Sequence, residues 1–156
     1  MEPDLRDLYQ QVIIDHSKSP RNFKQLDEHN HNVVTKEGFN PLCGDKIKLY
    51  MACDNGLIKE VAFQGSGCAI SMASASMMTA AVKNRTTEQA QELFTNMKQM
   101  LTGNVVSGYD YGNLGVFSGV SEFPVRVKCA TLPWHTLNAA IMKADGTVST
   151  EEENAG

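Results

Sequence analysis

Apolar positions at Leu5, Leu8, Tyr9, Val12 and Ile13 recur at helical spacing and predict an amphipathic helix from Asp4 to about Ser17. Ser19-Pro20-Arg21-Asn22 ends it, because the residue before a proline is pushed out of helical geometry. After a polar connector, Val33-Val34-Thr35 reads as a short edge strand. From Lys46 to Cys53 the pattern changes to strict alternation, with Ile47, Leu49, Met51 and Cys53 on one face. Asn55-Gly56 supplies the positive φ angles of a tight hairpin, and Leu57 to Gln64 returns as the partner strand. Gly65-Ser66-Gly67 is expected to break that strand, and Cys68 to about Lys83 reads as a helix, its Ala, Ser and Met content suited to close burial. Thr86-x-x-Gln89 matches a capping box, followed by the stripe Leu93, Phe94, Met97, Met100 and Leu101, which Gly103 stops.

Gly103 to Phe123 carries five glycines and reads as a loop-like insert. A last helical region starts near Pro124 and is expected to be interrupted or restarted at Pro133. Helix, a few antiparallel strands, then helices define an α+β chain: a small antiparallel sheet of about three strands against several helices. Residues 1–143 are expected to form a single domain, and 144–156, with Glu151, Glu152 and Glu153, a polar, disordered tail.

Composition narrows the function. At 156 residues, 42% hydrophobic and 21% charged, the chain is neither wholly disordered nor a coiled coil. A formal charge of −4, with 14 basic residues scattered along the chain, gives no electrostatic footprint for nucleic acid. Glu2, Asp4, Arg6 and Asp7 stand where a secretory signal needs a basic start and an apolar run. The uncharged stretch Val61 to Val82 contains Gln64, several serines and glycines, and suits a strand and a buried helix better than a membrane span. A cytoplasmic protein with no membrane or nucleic-acid partner is expected.

In such a compartment the four cysteines, Cys43, Cys53, Cys68 and Cys129, read as thiols for chemistry or metal rather than bridges. Cys53 shares the apolar strand face and reads as core packing. The other three lie at element boundaries, with Asp45 two residues beyond Cys43. Cys68 opens a helix, where free amides and the dipole favour a thiolate. Cys43, Asp45, Cys68 and Cys129 together supply the four donors of a tetrahedral zinc site, one ion per chain. Their long spacings are equally compatible with buried structural cysteines. His16, His29, His31 and His135 are weaker ligand candidates, and Gly65-x-Gly67 lacks the remaining elements of a dinucleotide fingerprint.

Asn40-Pro41-Leu42-Cys43-Gly44-Asp45, Gly65-Ser66-Gly67-Cys68-Ala69-Ile70-Ser71 and Arg126-Val127-Lys128-Cys129-Ala130-Thr131-Leu132 resemble the three cysteine segments of the NifU-N/IscU-like superfamily. Val12-Ile13-Ile14-Asp15-His16 and Pro20-Arg21-Asn22-Phe23 are similar to its amino-terminal segment, so the resemblance spans roughly residues 5 to 143. Scaffold members carry a histidine directly before the last cysteine, where this chain has Lys128, and lack an insert like Gly103 to Phe123. Both features resemble the SufU-type branch. That resemblance implies an enzyme of iron–sulfur cluster assembly: a zinc-dependent sulfurtransferase, taking persulfide sulfur from a cysteine desulfurase of SufS type and passing it to the downstream Suf machinery. It implies Cys43, Asp45, Cys68 and Cys129 as zinc ligands, Cys43 as sulfur acceptor and Arg126 as a residue engaging the desulfurase. The alternative is a scaffold that builds a transient iron–sulfur cluster on the same cysteines.

Overall fold

The computed structural model describes residues 11–143 and 148–150. Helix α1 (Gln11–Lys18) precedes three strands, β1 (Val33–Asn40), β2 (Asp45–Asp54) and β3 (Leu57–Ser66). Helices α2 (Ala69–Val82) and α3 (Thr87–Leu101), a 3-10 helix (Gly112–Glu122), helix α4 (Pro124–Met142) and the two-residue strand β4 (Val148–Ser149) follow. The expected start of the first helix at Asp4, with Leu5, Leu8 and Tyr9, lies outside the described residues.

The sheet order is β3-β2-β1-β4, antiparallel through β3, β2 and β1, with β4 added parallel to β1. It packs one face against α2 and α4, burying Ile47, Leu49, Met51, Val61 and Phe63 against Ile70, Met78, Leu132 and Leu137. The α+β architecture agrees with the reading of the sequence. The hairpin forms as its pattern dictates, with Asn55 at φ 52° and Gly56 at φ 78°. The capping box of α3 is also present: Gln89 N donates to Thr86 Oγ1, and Thr86 N to Gln89 Oε1.

Four expectations need correction. Val33–Thr35 is the start of an eight-residue strand rather than a short edge, because β2 pairs along its whole length and β4 takes its outer side. Gly65 and Ser66 continue β3 opposite Ile47 and Lys46 instead of breaking it. The insert is not loop-like throughout: Leu114, Phe117 and Val120 are buried at a period of three, the repeat of a 3-10 helix, which places one face inward. Helix α4 runs through Pro133 without interruption. Hydroxyls supply partners for carbonyls around that proline, from Thr131 to Lys128, Ser74 to Ala130 and Thr136 to Leu132.

The tail also differs in part. Val148 and Ser149 pair with Gly38 and Phe39, and Thr150 is buried, so this piece belongs to the sheet. The rest, 144–147 and 151–156, lies outside the described residues. Among the described residues no helix is long and apolar enough to cross a membrane.

Candidate metal centre

Three elements deliver their ends to one point. Strand β1 stops at Asn40, residues 41–44 turn, and β2 starts at Asp45, placing Cys43 on the turn and Asp45 at the strand's first position. Gly44 adopts φ +73°, a conformation that side chains rarely take, and this lets Cys43 and Asp45 face one centre. The continuation of β3 to Ser66 carries the chain alongside Asp45, so that α2 begins there with Cys68 as its N-cap. A side chain at Gly67 would lie 2.5 Å from Asp45 Oδ1, and only glycine permits that approach. Cys129 comes from the second turn of α4.

The donor atoms of Cys43, Asp45 and Cys129 all lie within 4.8 Å of one another, and this group could hold a metal ion. Cys129 Sγ is 3.3 Å from Cys43 Sγ. Two sulfurs about 2.3 Å from a tetrahedral zinc stand roughly 3.7–3.8 Å apart, so this pair would open by about half an ångström to share an ion. Cys68 adjoins the trio rather than completing it at that spacing. Its amide donates to Asp45 Oδ1 at 2.9 Å, and its sulfur accepts from Ser71 N at 3.4 Å.

Electrostatics divide the thiols. The Cys129 thiol hydrogen-bonded to Cys68, helped by the Ser71 amide, lowers the Cys68 thiol to about 6. Cys129 is pushed well up, first by Cys68 as its hydrogen-bond partner and then by burial and Cys43. The two shifts run in opposite directions, so of this pair Cys68 is the thiol more readily ionised. Asp45 and Cys129 have no exposed surface, whereas Cys43 is partly exposed and lines a cavity of about 380 Å³ with residues 122–126.

Each residue singled out in the sequence has a definite place. Cys43, Asp45 and Cys129 meet, Cys68 adjoins them, and Arg126 lies in the first turn of α4 on the wall of the cavity beside Cys43. Cys53 stands elsewhere, half-buried against the core beside a bulge in β2, with its thiol pushed up by burial. The reading of the sequence passed over Asn40. This buried residue reaches both Asp45 and Cys129, and its only sequence signal was its place at the head of the Asn-Pro-x-Cys-Gly-Asp segment.

A chain with this fold and three such cysteine segments belongs to the family of the NifU-like N terminal domain, whose model matches residues 8–149. It is 42% identical to the zinc-dependent sulfurtransferase SufU of Bacillus subtilis over 92% of this chain and 95% of the relative. It is 38% identical to the iron–sulfur cluster assembly scaffold protein IscU of Streptococcus pyogenes, over 96% of this chain and 92% of the relative. A crystal structure described as an iron–sulfur cluster assembly scaffold protein for the SUF system, from Fervidobacterium islandicum, superposes with a TM-score of 0.81 at 34% identity. That match covers 88% of this chain and 99% of the other.

Proposed function

We propose that this chain is a zinc-dependent sulfurtransferase of iron–sulfur cluster assembly, accepting sulfur from the persulfide of a SufS-type cysteine desulfurase and releasing it to the downstream assembly machinery. The observation that carries the proposal is the asymmetry of the donor group. Asp45 and Cys129 are fully enclosed, while Cys43 sits on a turn and opens to the cavity edged by Arg126.

The donor set suits zinc. Cys43, Asp45, Cys68 and Cys129 offer three sulfurs and one carboxylate, and the donor atoms of Cys43, Asp45 and Cys129 already lie within 4.8 Å of one another. When bound, zinc keeps coordinated thiols deprotonated at neutral pH and, having no redox chemistry, does not oxidise them. The remaining work belongs to the chain. Cys68 is fixed by the start of α2 and Cys129 by α4, so moving either breaks helical hydrogen bonds. Cys43 moves with residues 41–44 alone. Its thiolate attacks the outer sulfur of the donor persulfide; a new S–S bond forms on Cys43, the donor's S–S bond breaks, and the donor cysteine leaves as thiolate. No electrons are gained or lost overall. Arg126, on the cavity wall, is placed in this proposal to meet the desulfurase.

Relatives named as scaffolds share the family, so the test must separate the two roles. Protein purified without added metal is expected to be colourless, with about one zinc per chain by elemental analysis, and to stimulate a SufS-type desulfurase supplied with cysteine. Iron with a stable brown chromophore, or no stimulation by the zinc-loaded protein, contradicts the proposal.

A further inference from the structure

One buried polar side chain outside the ligand set touches the site from several directions. Asn40, at the end of β1, has no exposed surface. Its carboxamide nitrogen donates to Asp45 Oδ2 at 3.1 Å and towards Cys129 Sγ at 3.6 Å. Its carboxamide oxygen accepts from the Leu42 amide at 3.3 Å and from the Thr150 hydroxyl at 3.1 Å. An asparagine side chain has two N–H donors and an oxygen with two lone pairs, so every capacity is used. Turned over, the amide would set its oxygen against the Asp45 carboxylate. The backbone carbonyl of Asn40 also accepts from Gly44 N at 2.9 Å, closing the turn that carries Cys43.

We propose that Asn40 is a positioning residue for the metal centre, and that Thr150, just after β4, is its strap. The inference rests on the zinc reading above. Three thiolates and a carboxylate carry more negative charge than a divalent ion cancels. A neutral double donor between the carboxylate and one sulfur relieves that excess without introducing a cation to compete with the metal. Ligating groups held this way typically lose roughly 10–100-fold in metal affinity when the partner is removed. The Thr150 hydroxyl occupies the second lone pair of the oxygen that also holds the Leu42 amide, the residue before Cys43. The chain beyond α4 thereby restrains the acceptor turn without contributing a ligand.

The test uses three variants of the full chain. Asn40→Leu keeps the branching at Cγ, in a somewhat larger side chain, and removes all four side-chain bonds. Thr150→Val keeps the shape and removes the donor, and Thr150→Ser retains it. Zinc affinity is measured by competition with a chromogenic chelator, site geometry by the visible spectrum of cobalt-substituted protein, and turn mobility by amide hydrogen exchange at Leu42 and Gly44 in metal-free protein. Asn40→Leu is expected to bind zinc roughly 10–100-fold more weakly and to shift the cobalt bands. Thr150→Val is expected to speed exchange at both amides several-fold, with Thr150→Ser restoring the slower rate. A folded Asn40→Leu with wild-type zinc affinity overturns the positioning role, and wild-type exchange in Thr150→Val overturns the strap. Should Asn40→Leu fail to fold, the cobalt spectrum of Thr150→Val decides in its place, and an unshifted spectrum overturns the proposal. Exchange is read without metal or desulfurase, so its outcome is separate from that of the sulfur-transfer assay.

Discussion

Asp45 shows how far the chain's own hydrogen bonds hold the donor group together. Its buried carboxylate accepts from the part-buried Cys68 amide and the buried Asn40 carboxamide. Removing a buried acceptor leaves its donors unpaired, at about 1–3 kcal/mol. Asp45→Ala is therefore expected to lower stability by about that amount in chelator-treated protein, measured by urea unfolding, and to lose more in the zinc-loaded form because binding is coupled to folding. Equal unfolding midpoints for the metal-free proteins would contradict this account. Cys53 gives the opposite case. It packs half-buried against the core beside a strand irregularity and meets none of the other cysteines. Cys53→Val should cost at most about 1–1.5 kcal/mol and leave zinc content and desulfurase stimulation unchanged. At this scale the sequence was highly legible for residue types: thiols in polar, glycine-marked turns differ visibly from a thiol on an alternating apolar face. Asn40 was not legible, because an asparagine before a proline reads as turn chemistry, and its buried partners lie five, 89 and 110 residues further along.

Elements with local signals formed where those signals stood. The capping box of α3 needs only residues three apart, and Thr86→Ala should cost about 1 kcal/mol, read as a lower Tm with zinc binding intact. The 3-10 helix was legible in principle through the period-three series Leu114, Phe117 and Val120, but its glycines hid that spacing. The extension of β3 through Gly65 was not legible locally, since pairing with β2 overrides the poor strand propensity of glycine. The contact between α1 and α2 adds a pH dependence. His16 Nδ1 lies 2.7 Å from Ser76 Oγ, which also accepts from Arg21 N at 2.8 Å. With its own proton and a second lone pair, the Ser76 hydroxyl can partner either tautomer of the neutral imidazole. Burial, and then the charge of Arg21, hold His16 below its usual value. The unfolded chain therefore takes up the proton first. The stabilising contribution is full above the ordinary histidine range and is lost as pH falls through that range towards the lowered value. Thermal unfolding from about pH 7 to about pH 5 should show a smaller fall in Tm for His16→Asn, which keeps an acceptor but does not titrate, than for wild type. Parallel curves would remove His16 from this account.

For the whole molecule, the decisive event is the meeting of β1, β2, β3, α2, α4 and β4 around one group of donors. Spacing along the chain could not establish that meeting; three separate cysteine segments in family order pointed to it, and the fold supplies the reason. Pairing of β1 with β2 aligns Asn40 with Asp45, the length of β3 brings Cys68 alongside, and α4 crosses β1 to deliver Cys129. The return of the chain at β4 had no such signal, because a two-residue parallel strand depends wholly on its partner. The central claim is that Cys43, the exposed member of this group, receives the sulfur. Wild-type protein should be incubated with a SufS-type desulfurase and cysteine, then digested without reductant and analysed by mass spectrometry. One added sulfur on the peptide containing Cys43, absent when Cys43→Ser is treated in the same way, is the predicted result. Added sulfur confined to Cys68 or Cys129, or a Cys43→Ser protein that still stimulates the desulfurase fully, would contradict it.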